Sequence, residues 1–205
     1  MTIFSKDYWL QSAKELKNIR HLAFAALICA LTVGLDGIAR IQIMPGLEIK
    51  FTFLIISLGC AVYGPVTGVL MAAVVDTLSF FIFPTGYAYF PGYMLTEMLV
   101  SLTYGLFFYR RKITVAKLLC AKAITNFVWH VGLNALWSAI LLNKGYLFYL
   151  WSSLTKNALL LVPEVLLMAL FFGLMIPPFA KLGLLPAHSQ KELQKLTLFK
   201  EKHHG

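Results

Sequence analysis

The chain has 205 residues, 59% of them hydrophobic and only 13% charged, with a formal net charge of +9. Soluble domains carry about a quarter charged residues, so that class is excluded, and the recurring apolar stretches point to a polytopic helical membrane protein. The positive charge does not indicate nucleic acid, because Lys and Arg collect at the ends of apolar runs, the pattern that sets membrane topology.

Residues 1–19 form a basic terminus carrying Lys14 and Lys17, with Arg20 directly after it. The first span covers 21–39. It lacks a small-x-small cleavage site and further spans follow it, so it reads as a retained helix and not as a signal peptide. Next comes a loop, IQIMPGLEI, flanked by Arg40 and Lys50. Residues 51–83 are apolar throughout but would make about 50 Å of helix, too long for one crossing. Tyr63-Gly64-Pro65 supplies the break, since proline starts a helix better than it continues one. Two spans result, about 49–63 and 65–83.

The stretch FPTGYAYFPGYMLTEM, residues 83–98, is stiff, aromatic and ends on Glu97. It leads into a span at about 92–109, closed by Arg110-Arg111-Lys112. A fifth span covers about 113–142 and a sixth about 146–176, with a kink expected at Pro163 and a stop at Pro177-Pro178. From 181 the tail is basic and weakly amphipathic, suited to the membrane surface. Cys29, Cys60 and Cys120 lie in or beside apolar sequence without metal-ligand spacing, so they read as buried thiols. No internal repeat or linker interrupts the chain. The expectation is an all-α integral membrane protein, residues 1–205 as one domain of six transmembrane helices. Both basic termini (1–19 and 181–205) and the 110–112 turn fall on one side, which the positive-inside rule makes cytoplasmic. The turns at 40–49, 83–91 and 143–146 then face outward.

Ionisable groups within spans cost several kcal/mol unless paired or facing a cavity. Here they are Asp76, Glu97, Lys122, His130 and Lys156, with Asp36 nearer an end. Asp76 and Glu97 lie at similar depth, roughly 9–10 Å below the 83–91 turn, from opposite sides of it. The bland alternative is that they pair with Lys156 or backbone groups and hold helices together. On the fifth span Asn126, His130, Asn134 and Trp137-Ser138 recur at helical spacing on one face. Single polar residues of this kind are usually interhelical glue; four together with a tryptophan favour a ligand-lined wall. The sixth span brings Trp151, Thr155, Lys156 and Asn157 to the same depth. Convergent polar groups in an apolar pocket suit an organic ligand. A flat heterocycle with an anionic tail fits these parts, with Arg40 and Lys50 meeting the tail or else snorkelling to the interface. No Walker motif, HExxH, GxSxG or catalytic cysteine constellation is present, so no energy source or catalytic machinery is visible in the chain.

Several fragments, in this order and spacing, resemble the substrate-binding S component of energy-coupling factor (ECF) vitamin transporters of the folate-specific (FolT) type. They are Tyr63-Gly64-Pro65, AAVVDTLSFFIFPTG, YFPGYMLTEMLVSLTYGLFFY, GLNALWSAIL and KNALLLVPEVLL, and the resemblance covers about residues 20–178. It implies a multi-pass cell-membrane subunit that is not an enzyme and has no cofactor of its own. Such a subunit captures folate or a reduced folate from outside. It docks on the EcfT membrane subunit, where two EcfA-type ATPases use the ATP. The family's AxxxA docking motif matches Ala26 and Ala30, where small residues four apart let a partner helix approach; internal packing is the competing role. The resemblance also implies stacking by Trp137, Tyr93, Phe90 and Trp129. It makes Asp76, Glu97, His130 and Asn134 hydrogen-bond partners of the pterin. Arg40, Lys50, Lys156 and Asn157 fall at the benzoyl-glutamate end, under a lid made by 40–49 and 84–91. Glu97 departs from the small residue expected there. Thiamin, a queuosine precursor or pantothenate are alternative ligands; a cationic ligand would prefer Asp76 and Glu97 over Arg40, which keeps thiamin among them. An integral membrane enzyme using Asp76, Glu97 and His130, or a membrane scaffold, are rivals of other classes.

Overall fold

The computed structural model describes residues 6–38, 40–44, 47–83, 89–111, 113–142 and 145–181. A short helix, α1 (Lys6–Glu15), precedes the first long one, α2 (Ile19–Ile38), and a two-stranded hairpin follows. Its strands, β1 (Arg40–Met44) and β2 (Leu47–Lys50), run antiparallel with Arg40 opposite Lys50. Then come α3 (Thr52–Ile82), α4 (Pro91–Phe108), α5 (Val115–Ile124), a π-helical stretch (Thr125–Leu133), α6 (Asn134–Leu142) and α7 (Tyr146–Lys181). By length and composition alone, Ile19–Ile38, Thr52–Ile82 and Tyr146–Phe179 are able to cross a membrane. Proline at the first position of α4 supplies the φ that a helix start needs.

α3 is two crossings joined at Gly64, which has φ 85° and ψ −176°, outside helical space. We label residues 52–63 α3a and 65–82 α3b. Residues equidistant from the break face each other: a Cβ placed on Gly68 would lie 2.7 Å from the sulfur of Cys60. The two halves therefore fold back as a tight helical hairpin. With α2, α4, the continuous α5–π–α6 helix and α7, they make a bundle of six helical segments among the described residues, called crossing segments below. α3 and α4 share the most extensive helix contact.

A turn inside an apolar bundle must satisfy its backbone groups from nearby, and α1 does this for the α3 hairpin. The buried Ser12 hydroxyl donates to Tyr63 O at 2.9 Å and accepts from Val66 N–H at 3.1 Å. Thr67 Oγ1 donates to Ser12 O at 2.9 Å. Tyr8 donates to Gly105 O at 3.1 Å, tying α1 to the end of α4. Burial pushes the Tyr8 phenol up to about 12, so it remains a donor through the physiological range. The sequence marks residues 1–19 only as a basic terminus; the reason α1 packs is that the break in α3 needs Ser12. Between this end and the bundle's middle, Tyr104 stacks on Phe108 and Phe108 meets Phe172 edge-on, a dry aromatic plug.

One boundary differs from expectation. α7, with Pro163 inside it, continues through Pro177-Pro178 to Lys181. Proline's fixed φ is helix-compatible, and in a membrane bundle neighbouring groups compensate for the lost N–H bonds. The tail beyond 181 and residues 84–88 of the aromatic turn lie outside the described residues.

Gly64→Ala is expected to cost about 1–3 kcal/mol, because a non-glycine residue is strained at that φ and its Cβ would sit 2.7 Å from Ser12 Oγ. A thermal melt of the detergent-purified protein reads this as a lowered midpoint. An unchanged midpoint would show that the hairpin is not locked at Gly64.

Candidate functional site

Every crossing segment contributes to one cavity of about 370 Å³ inside the bundle. Thr32 and Asp36 come from α2, and Lys50 from the end of the hairpin. α3a gives Thr52, Phe53 and Ile56, and α3b gives Ala72, Val75, Asp76 and Ser79. α4 adds Glu97, Val100 and Ser101. Lys122, Asn126, His130 and Asn134 line it from the α5–π–α6 helix, and Ser153, Lys156, Asn157, Leu160 and Glu164 from α7. The cavity therefore runs from the β-hairpin end of the bundle toward the aromatic plug.

The wall carries four carboxylates and three lysines. Two pairs are formed. Lys50 Nζ stands 3.8 Å from Asp36 Oδ1 near the hairpin. At the opposite end, Lys122 Nζ is 3.3 Å from Glu164 Oε2, and Asn126 Nδ2 donates to the same oxygen at 2.9 Å. The Lys122 ammonium also lies 3.9 Å from the Phe53 ring centroid, a cation–π contact strengthened by loss of water. Asp76, Glu97 and Lys156 form no ion pair among the described residues. Asn134 approaches His130 Nδ1 through Nδ2 at 3.3 Å, and its buried Oδ1 has no protein partner. Asn157 Nδ2 donates to Ser153 O at 2.9 Å, which turns it along its own helix.

The cavity thus brings together Lys50, Asp76, Glu97, His130, Asn134, Lys156 and Asn157. The side chain of Arg40 lies outside the described part, although its backbone pairs with Lys50. The expected stacking residues are elsewhere. Trp137 Nε1 donates to Thr96 Oγ1 at 3.1 Å, and its ring packs on Phe90 with centroids 5.6 Å apart. Tyr93 meets Phe90 edge-on and bonds Ser138 at 3.1 Å. Trp129 donates to Thr103 at 2.9 Å. These four rings join α4 to the fifth crossing segment beside the wall, not on it. Phe53 is the aromatic side chain that does line the cavity. It was missed because an apolar residue next to a span start carries no signal of its own. Lys122 and Asn126 stood out as polar residues in apolar sequence, whereas Glu164 was not singled out, and only the fold shows that the three converge. Among the described residues there is no cluster of three or more potential metal-ligating side chains.

The model of one protein family, the ECF-type riboflavin transporter S component, matches residues 16–181. The chain belongs to the ECF-type riboflavin transporter S component family. Two named relatives are more specific. A folate transporter FolT from Clostridium novyi (strain NT) is 29% identical over 145 residues, 71% of this chain and 83% of that protein. A folate transporter FolT from Leuconostoc mesenteroides subsp. mesenteroides is 26% identical over 126 residues, 61% of this chain and 63% of that one. A crystal structure of FolT bound with folic acid superposes with a TM-score of 0.66 at 23% identity, covering 74% of this chain and 91% of that chain. The S component assignment makes this a multi-pass membrane transport subunit, and the family match spans all the cavity-lining elements.

Lys122→Met alone is expected to destabilise the S component by about 3–5 kcal/mol, because it leaves Glu164 buried and uncompensated. The double replacement Lys122→Met with Glu164→Leu should restore most of the melting temperature. A double variant no more stable than the single one would mean that the pair is not the buried unit described above.

Proposed function

We propose that this S component is a high-affinity folate-binding subunit that captures folate, or a reduced folate, from outside the cell. The observation that carries the reading is the lining of the cavity, which brings the acceptors Asp76, Glu97 and Asn134 into one enclosed space with Lys50 and Lys156. A pterin ring offers several N–H donors and a benzoyl-glutamate tail offers two carboxylates. Asp76, Glu97, His130 and Asn134 are suited to the ring, where carboxylates accept in charge-assisted bonds. Arg40, Lys50, Lys156 and Asn157 are suited to the tail. The names of the two FolT relatives support folate as the ligand. The family's description names riboflavin, which has no carboxylate for these lysines to meet and is the natural competitor in a test.

In the same reading both termini are cytoplasmic and the β-hairpin faces outward, in line with the basic residues at the α1 end. Docking on the EcfT subunit with its two ATPases would use α2. Ala26 and Ala30 are exposed on that helix beside Leu27 and Leu31, while Ala25, Ile28 and Cys29 face the core. A strip of small side chains gives a second helix a place to approach.

Purified protein is expected to bind folic acid saturably, one per chain, and to carry a pteridine absorbance after desalting. Flavin binding with no response to folic acid would overturn the folate reading. Separately, Ala26→Trp or Ala30→Trp should abolish folate uptake by cells that hold the full transporter while leaving binding by the isolated subunit within about twofold. Loss of binding would place these alanines in the fold and not at a docking face.

A further inference from the structure

We propose that Glu164 is a ligand-binding residue at the floor of the cavity, accepting N–H donors from the ring, and that Lys122 and Asn126 are the positioning residues that aim it. The inference rests on the folate reading and adds to it a group outside those assigned there. Lys122 Nζ and Asn126 Nδ2 both converge on Glu164 Oε2, at 3.3 and 2.9 Å. Oε1 receives no hydrogen bond among the described residues. The carboxylate is thus held from one side by two donors, with its second oxygen left over in a side chain that lines the cavity.

The arrangement decides which end of a ligand goes deep. Glu164 lies two helical turns past Lys156 on α7, about 12 Å further along the axis. At the deep end the cation is already neutralised by Glu164 and faces Phe53, so an anionic tail placed there would compete with a formed ion pair. A flat ring with donors along one edge meets an open acceptor and an aromatic wall instead. Up the cavity, Lys156 makes no ion pair among the described residues and is available to the tail. The ring therefore enters first. A buried acceptor built for a ligand N–H also discriminates, because a ligand without that donor leaves the acceptor unsatisfied.

The test compares folic acid with its 2-desamino analogue, which keeps the tail and the ring shape but lacks the exocyclic amino donor. Wild-type protein should prefer folic acid by about 100-fold or more. The Lys122→Met, Glu164→Leu double variant should bind folic acid at least about 100-fold more weakly, yet bind the analogue within about threefold of wild type. Asn126→Leu, a milder change that keeps the ion pair, should lose about tenfold for folic acid and little for the analogue. Equal loss for both ligands in either variant, or unchanged preference, would overturn the assignment and leave the cluster a structural tie. Absence of folic acid binding by the wild type would overturn the folate reading itself, and this assignment with it.

Discussion

Charge inside a hydrocarbon-spanning bundle has to be matched, and the contact that sets the terms here is Lys122 against Glu164. Both groups are removed from bulk water, which by itself would cost several kcal/mol per ion. Their separation of 3.3 Å, the Asn126 amide on the same carboxylate and the Phe53 ring under the ammonium offset that cost together. Because the three polar partners come from two segments and the ring from a third, the cluster also fixes how α3a, the fifth crossing segment and α7 stand around the cavity. Well-packed hydrophobic residues in place of such a buried pair often give comparable stability. Stability alone therefore does not account for the charges.

The second constraint is the α3 hairpin, because it brings Phe53 and Asp76 to the same space. Residues 53 and 76 stand eleven and twelve positions from Gly64, on either side of it. Their facing positions follow from the fold-back at that glycine. Folding back in an apolar setting exposes peptide groups that water cannot reach, and Ser12 answers both Tyr63 C=O and Val66 N–H. The short α1 helix is thus a requirement of the turn, and through the turn a requirement of the cavity wall.

Much of this was legible in the sequence, for physical reasons that can be named. Apolar run length gave the crossings, and Gly64-Pro65 gave the break, since no other pair of residues so directly forbids a continuous helix. Intramembrane Asp76, Glu97, His130 and Lys156 stood out because hydrocarbon makes unpaired charge expensive, and all four line the cavity. The packing of residues 6–15 was not legible. Charged residues such as Lys6, Asp7 and Lys14 mark that segment, while the informative residues are ordinary in type: Ser12 gains meaning only from a turn 51 residues away and Tyr8 from the end of α4, 97 residues away.

The aromatic rings show why a face drawn on a helical wheel is a weaker inference than a crossing. Asn126, His130, Asn134 and Trp137 look like one stripe if the helix is α throughout. From Thr125 to Leu133 the backbone is π-helical, and Asn134 N–H donates to Trp129 O, five residues back. Such turns are wider and rotate less per residue, so steps of four hold Asn126, His130 and Asn134 on the cavity. Beyond Asn134 the helix is α again. A step of three there turns Trp137 toward α4, where Thr96 accepts its N–H and Gly92 leaves room for its ring. Trp137, for which the family resemblance implies stacking, thus packs on Phe90 and donates to Thr96. The wider turn before it is what keeps three polar side chains in line with the cavity.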